Sequence, residues 1–368
     1  MRSFSGGLFA LRPFFFFLAA FSAAQGHSAT PSAVPIPPSG SSISGSMISG
    51  STVALHTSST MNVASEMGGA FMSPSKCDAD GNLYIRKLAT DRPLLGPVVK
   101  INPEGKRTAL FDPAAFSQLA LDRADAFSPA SDGGMYQIAQ SSGLKPRIYV
   151  LHFSSDGSPS SPTLLDADFE VYTFAAFADG NFLASGVKRD VQNKNDRGRN
   201  FTAVFSADGR ELAQLSFEAP QESAKASAKK PDTNDAEKAT PGLDLAEAEV
   251  GSDGNLYVMR FSSPALVYVI GPSGKIVKTI KVSSPLPGAL PSAFHLSGNR
   301  LALSFWNNEN QRQTVVVADA QTGRKIASYA DPTGLGPSFA CYSANDGVFT
   351  FLKLGEGNEL EVVRAEAQ

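Results

Sequence analysis

Residues 252–282 read SDGNLYVMRFSSPALVYVIGPSGKIVKTIKV, and that stretch is one unit of a repeat. Asp253-Gly254 is a turn signal, the β-formers Asn255 to Phe261 follow it, and Ser262-Ser263-Pro264 breaks the run. A second run covers Leu266 to Ile270, a Pro-Ser-Gly turn spans Pro272 to Gly274, and a third run covers Ile276 to Val282. Asp-Gly and Pro-Ser-Gly each supply the φ > 0 position that a tight hairpin needs. The segment therefore predicts a meander of antiparallel strands.

Working outward, the same meander recurs. The first unit begins at Asp80-Gly81, with strands expected over Asn82 to Lys87, Val98 to Asn102 and Arg107 to Phe111; its DGNLYI matches DGNLYV of the central unit. Further units begin at Asp132-Gly133, Asp179-Gly180, Gly298-Asn299 and Asp346-Gly347. Apolar stretches such as Tyr172 to Phe177, Ala293 to Leu296 and Phe339 to Tyr342 precede these turns and add a first strand, making four per unit. Six units at a spacing of roughly 45 to 50 residues predict an all-β, six-bladed β-propeller of four-stranded antiparallel blades over residues 51–368. The sixth unit lacks a fourth strand after Gln368, and Ser51 to His56, STVALH, is placed to supply it and close the ring. An open solenoid or a pair of packed sheets is the alternative.

The repeated DGNLY(V/I), followed by the VVKINPEGKR and VYVIGPSGKI runs, resembles six-bladed propellers of the NHL-repeat and streptogramin-lyase-like type over roughly Phe71 to Ala365. These residues specify blades, not chemistry. The resemblance implies a ligand face built from the loops that lead into the inner strands and those that join strands two and three. Those approaches carry Asp122, Arg123 and Asp125, then Asp168, Glu170 and Tyr172, then Glu247 and Glu249, and finally His295 and Tyr342. Acidic segments around one channel mouth suit Ca²⁺ or Mg²⁺, with Asp125, Glu170 and Glu249 as candidate ligands; solvated rim residues are the alternative, since no dense D-x-D-x-D loop is present. Of four histidines, His27, His56 and His152 fall in a tether or in strands. His295 is the sole candidate base, although a lone His in Ala-Phe-His-Leu also suits a hydrogen-bonded structural residue.

Hydrophobic residues make up 42% of the 368 and charged residues 18%, with 32 Gly and 24 Pro, which is the composition of a turn-rich all-β chain. A net charge of −3 gives no electrostatic case for binding nucleic acid or an anionic membrane. Arg2 and Arg12, the apolar run Phe14 to Ala24 and the small residues Ser22, Ala23 and Ala24 predict a secretory signal peptide over 1–24, with an uncleaved anchor as the alternative. Residues 25–50, rich in Ser, Pro and Gly, predict a flexible linker. Residues 218–242, polar and without aromatics after Glu218, predict a disordered insertion between the third and fourth units, or a docking tail or lid. Cys77 and Cys341 precede the turns of the first and sixth units, which are neighbours in a closed ring; they are a candidate disulfide, with two buried free thiols as the alternative. No G-x-S-x-G elbow, H-E-x-x-H or P-loop is present.

These features predict an exported, secreted or periplasmic monomer that acts as a ligand- or protein-binding scaffold for a peptide, glycan or partner protein, with no membrane partner once the signal is cleaved. The rival is a Ca²⁺- or Mg²⁺-dependent lyase or lactonase-type hydrolase using Asp125, Glu170, Glu249 and His295. A structural envelope protein is a third class. Convergence of those side chains on one channel mouth would separate them.

Overall fold

The computed structural model describes residues 52–143, 146–189, 196, 198–217, 245–330, 335 and 338–367. The expected signal peptide over 1–24, linker over 25–50 and insertion over 218–242 lie outside the described residues.

The chain enters on β1 (Thr52–Asn62), and the short helix α1 (Ala64–Met67) leads into the first meander. That sheet is β2 (Phe71–Cys77), β3 (Leu83–Lys87), β4 (Val98–Ile101) and β5 (Arg107–Phe111), hydrogen-bonded in chain order. The second is β6 (Leu121–Pro129), β7 (Met135–Ser141), β8 (Ile148–Phe153) and β9 (Thr163–Leu164). The third is β10 (Glu170–Ala176), β11 (Phe182–Lys188), β12 (Arg199–Phe205) and β13 (Glu211–Gln214). The fourth is β14 (Leu245–Val250), β15 (Leu256–Arg260), β16 (Ala265–Ile270) and β17 (Ile276–Val282).

The remaining strands are β18 (Leu290–Ser297), β19 (Arg300–Asn307), β20 (Arg312–Asp319), β21 (Lys325–Ala330), β22 (Ser338–Tyr342), β23 (Phe349–Leu354) and β24 (Leu360–Ala367). Two units expected as separate blades are here hydrogen-bonded into one eight-stranded sheet, in the order β18-β19-β20-β21-β1-β24-β23-β22. The cause is β1, which serves two neighbours. Its first residues pair parallel with β21, Thr52 opposite Ser328, and the rest pair antiparallel with β24, from Leu55 opposite Ala367 to Asn62 opposite Glu361.

The first strands touch in cyclic order, β2 with β6, β6 with β10, β10 with β14, β14 with β18, β18 with β22 and β22 with β2. The fold is an all-β propeller around that hub. Its core lies between successive sheets: Tyr84, Val98 and Phe111 of the first pack on Phe127, Leu151 and Phe153 of the second. Burying each such side chain contributes roughly 1.5–3 kcal/mol. The same layering returns to its start, where Leu352, Leu360 and Val362 pack on Leu83, Ile85 and Val99. Cys77 and Cys341 are joined at this seam, with S–S 2.07 Å and Cα–Cα 5.8 Å.

Turn glycines set the spacing of neighbouring sheets. Gly209, at φ 88°, brings the turn between β12 and β13 onto β9 of the preceding sheet, where its carbonyl accepts from Asp166 N at 2.9 Å. A Cβ there would stand 2.0 Å from the Leu164 carbonyl oxygen. Gly209→Ala is therefore expected to cost about 2–3 kcal/mol, through both the left-handed backbone and the close approach. A urea midpoint unchanged from wild type would refute this packing.

Candidate functional site

Register shifts near the start of each first strand build the rim. They fall between Leu121 and Arg123, Val171 and Thr173, Leu245 and Glu247, Pro291 and Ala293, and Phe339 and Cys341, with a wider one between Met72 and Lys76. An extra residue in one strand bends it and re-aims side chains. Asp122, Tyr172 and Ser292 are such extra residues, and all three are exposed. β6 carries a second shift, between Ala124 and Phe127, which turns Asp125 toward its neighbours.

Those neighbours form a chain of ion pairs across three sheets. Arg123 Nε donates to Asp125 Oδ2, and Arg123 Nη1 donates to Glu170 Oε1 at 3.3 Å. Arg86 Nη1 lies 3.6 Å from Asp125 Oδ1 and Arg189 Nη2 lies 3.7 Å from Glu170 Oε2. Burial works against the charge of Arg123, but Asp125 and Glu170 outweigh it and hold the pKa above the ordinary value. Arg86 is the reverse case, lowered by burial despite Asp125. Tyr172 is pushed up to about 12, first by burial and then by its hydrogen bond to Glu170. Beside Arg123 and Asp125 lies a small cleft of mixed polarity, lined also by Ile138, Gln140, Ile148, Phe169 and Val171.

A second charged group fills the hub. The inner edges of the first strands have no further strand to pair with, so side chains satisfy their backbone groups. Glu247 Oε2 accepts from Phe294 N at 3.2 Å and Glu249 Oε2 from Leu296 N at 2.8 Å, while Glu249 Oε1 lies 3.2 Å from His295 Nδ1. Lys76 of β2 reaches across to β14, where its Nζ donates to Ala248 O at 2.9 Å. Ser128 Oγ accepts from Ala176 N at 3.2 Å and Thr173 Oγ1 donates to Leu245 O at 3.0 Å in the same manner.

The residues expected at one channel mouth thus divide. Arg123, Asp125, Glu170 and Tyr172 are brought together at the rim, with Asp122 exposed beside them, whereas Glu249 and His295 lie in the buried hub. Tyr342 lies apart from both groups: it sits at the far end of β22, opposite Phe349, buried with its ring 4.8 Å from that phenylalanine. The expected ligand set is divided in the same way, Asp125 and Glu170 at the rim and Glu249 in the hub. Among the described residues no group of three His, Cys, Asp or Glu side chains is placed to hold a metal ion. Arg123 stands between the first two carboxylates, and both oxygens of Glu249 are bonded to β18. Lys76 and Arg86 are absent from the sequence-based candidates; Lys76 adjoins Cys77, which precedes the turn of the first unit, and that is the available signal.

No family model and no curated protein matches the chain. Solved structures similar to it include a PQQ-bound aldose sugar dehydrogenase from Streptomyces coelicolor, at 12% identity over 86% of this chain and 98% of that one, TM-score 0.45. A putative oxidoreductase (glucose dehydrogenase) from Thermus thermophilus is similar at 11% identity over 85% and 99%, TM-score 0.46. The Pan2 WD40 domain of Neurospora crassa is similar at 10% identity over 86% and 97%, TM-score 0.45.

Proposed function

We propose that the chain is an exported, monomeric, six-bladed propeller of the NHL-repeat type that binds a peptide, glycan or partner protein at its rim. In this reading β18 to β21 form one blade, and β22 to β24 with β1 form another. The observation that carries it is where large apolar side chains are exposed. Leu110, Leu164, Leu212, Ile276, Val277 and Ile326 lie on the fourth strands of their sheets. The others, Leu94, Tyr172, Phe261, Leu290 and Leu354, lie at one end of the ring. Antiparallel pairing makes it a common end: first strands start where second strands finish, as in Glu170 opposite Val187, Leu245 opposite Arg260 and Leu290 opposite Trp306. It is also the end that carries Arg123, Asp125 and Glu170.

Exposed aromatic and aliphatic groups interleaved with arginine suit a recognition surface. Peptide and glycan arrays probed with the purified protein test this, followed by titration of each ligand found. Tyr172→Ala and Phe261→Ala are each expected to weaken binding about tenfold or more, as anchors of an interface do, while Val277→Ala on an outer strand leaves it unchanged. Ligands insensitive to both rim changes would place recognition elsewhere.

A further inference from the structure

We propose that Lys76, Glu247, Glu249 and His295 form a proton-coupled clasp across the hub, closed in mildly acidic solution and loosened as the pH rises through neutrality. The geometry is that of a latch between three first strands. Glu247 and Glu249, two residues apart on β14, both reach backbone N–H groups of β18, and His295 sits between the residues that supply them. Lys76 ties the same segment of β14 to β2, a strand that is not its neighbour in the ring. The charged groups facing the cluster are Lys76, with Asp78 just beyond it, from β2, both carboxylates from β14, and His295 from β18. β10 contributes the neutral Thr173.

Glu247 and Glu249, both partly buried, act on Lys76 and His295 alike. Burial, above all, raises Glu247 to about 7 from the ordinary 4.5, with Glu249 adding to the shift against the pull of Lys76. Burial lowers His295, but Glu249 outweighs it and leaves the pKa raised. Both groups therefore bind protons more tightly in the folded than in the unfolded chain. The stability they contribute is fully present below their unfolded pKa values and is lost as the pH rises through the folded ones. Lys76 acts in the opposite sense: burial lowers its pKa, so its own titration adds stability between that lowered value and the ordinary 10.5.

Calorimetric unfolding in two buffers of different ionisation enthalpy counts the protons exchanged. Folding of the wild-type chain near pH 6 is expected to take up about one proton or more. Glu247→Gln keeps an acceptor for Phe294 N, yet is expected to lose most of that uptake and to narrow the gap in Tm between about pH 5.5 and about pH 8. No uptake in wild type, or full uptake retained by a folded Glu247→Gln chain, would overturn the proposal. Should the variant not fold, amide exchange in wild type decides. After correction for intrinsic rates, Phe294 and Leu296 are expected to lose protection between about pH 6 and about pH 8 relative to Val267 and Val269 in β16. An unchanged ratio rejects the clasp.

Discussion

Replacing Cys77 and Cys341 together by alanine is expected to lower unfolding stability by about 4–5 kcal/mol while leaving every sheet paired as it is. The two residues are 264 apart in sequence, so the bridge removes a large share of the unfolded chain's freedom. In the folded state it is one of two fasteners at the same seam: the disulfide joins β2 to β22 near the hub, and β1 pairs with β24 toward the outside. Because β1 remains, the double variant keeps its circular dichroism spectrum and loses stability through the unfolded state. Both side chains are almost fully buried, at 7% and 6% exposure. Oxidised wild type is thus expected to resist reductant until it unfolds. Denaturant titration of wild type and C77A/C341A, compared at equal slope, measures the loss. A difference below about 1 kcal/mol means that the unfolded chain already holds its ends together.

The turns are legible because each demands particular residues. DGNLY(V/I) announces a hairpin wherever it stands, and β15 and β16 lie where residues 252–282 place them. Other features depend on partners that a local reading does not see. Ser51 to His56 reads as a closing strand, but β1 runs to Asn62 and also lies parallel to β21, which only the positions of both edges reveal. β9 is two residues long, among Pro159 and Pro162, which remove donors from a ladder. The rim is legible in its ingredients and not in its pairing. Asp125 and Glu170 do face one another's sheets, yet Arg123, a binding candidate beside them in the sequence, spends its guanidinium neutralising both. Tyr342 reads as part of an approach into an inner strand, whereas in the sheet it is the last residue of β22, opposite Phe349 and at the end away from the rim.

Lys76→Ala is expected to be nearly as damaging, at about 3–5 kcal/mol near neutral pH, because it removes the amine that faces Glu247 and Glu249 in the hub. It also strips Ala248 O of its donor. A buried pair is weak evidence of net stabilisation, but removing one member exposes the whole desolvation cost of the other. The loss should be smaller near pH 5, where Glu247, raised to about 7, carries a proton and leaves less charge uncompensated. Lys76→Met separates charge from packing, since the methionine fills the space of the aliphatic stem. If charge dominates, Met and Ala behave alike near neutral pH, and adding Glu247→Gln to Lys76→Met restores part of the loss. Contacting groups that share one network couple by roughly 0.5–3 kcal/mol in a double-mutant cycle. A coupling of zero would mean that Lys76 serves only as filler between β2 and β14. Glu247 and Glu249 would then owe their places to their partners on β18, the Phe294 and Leu296 amides and the His295 ring.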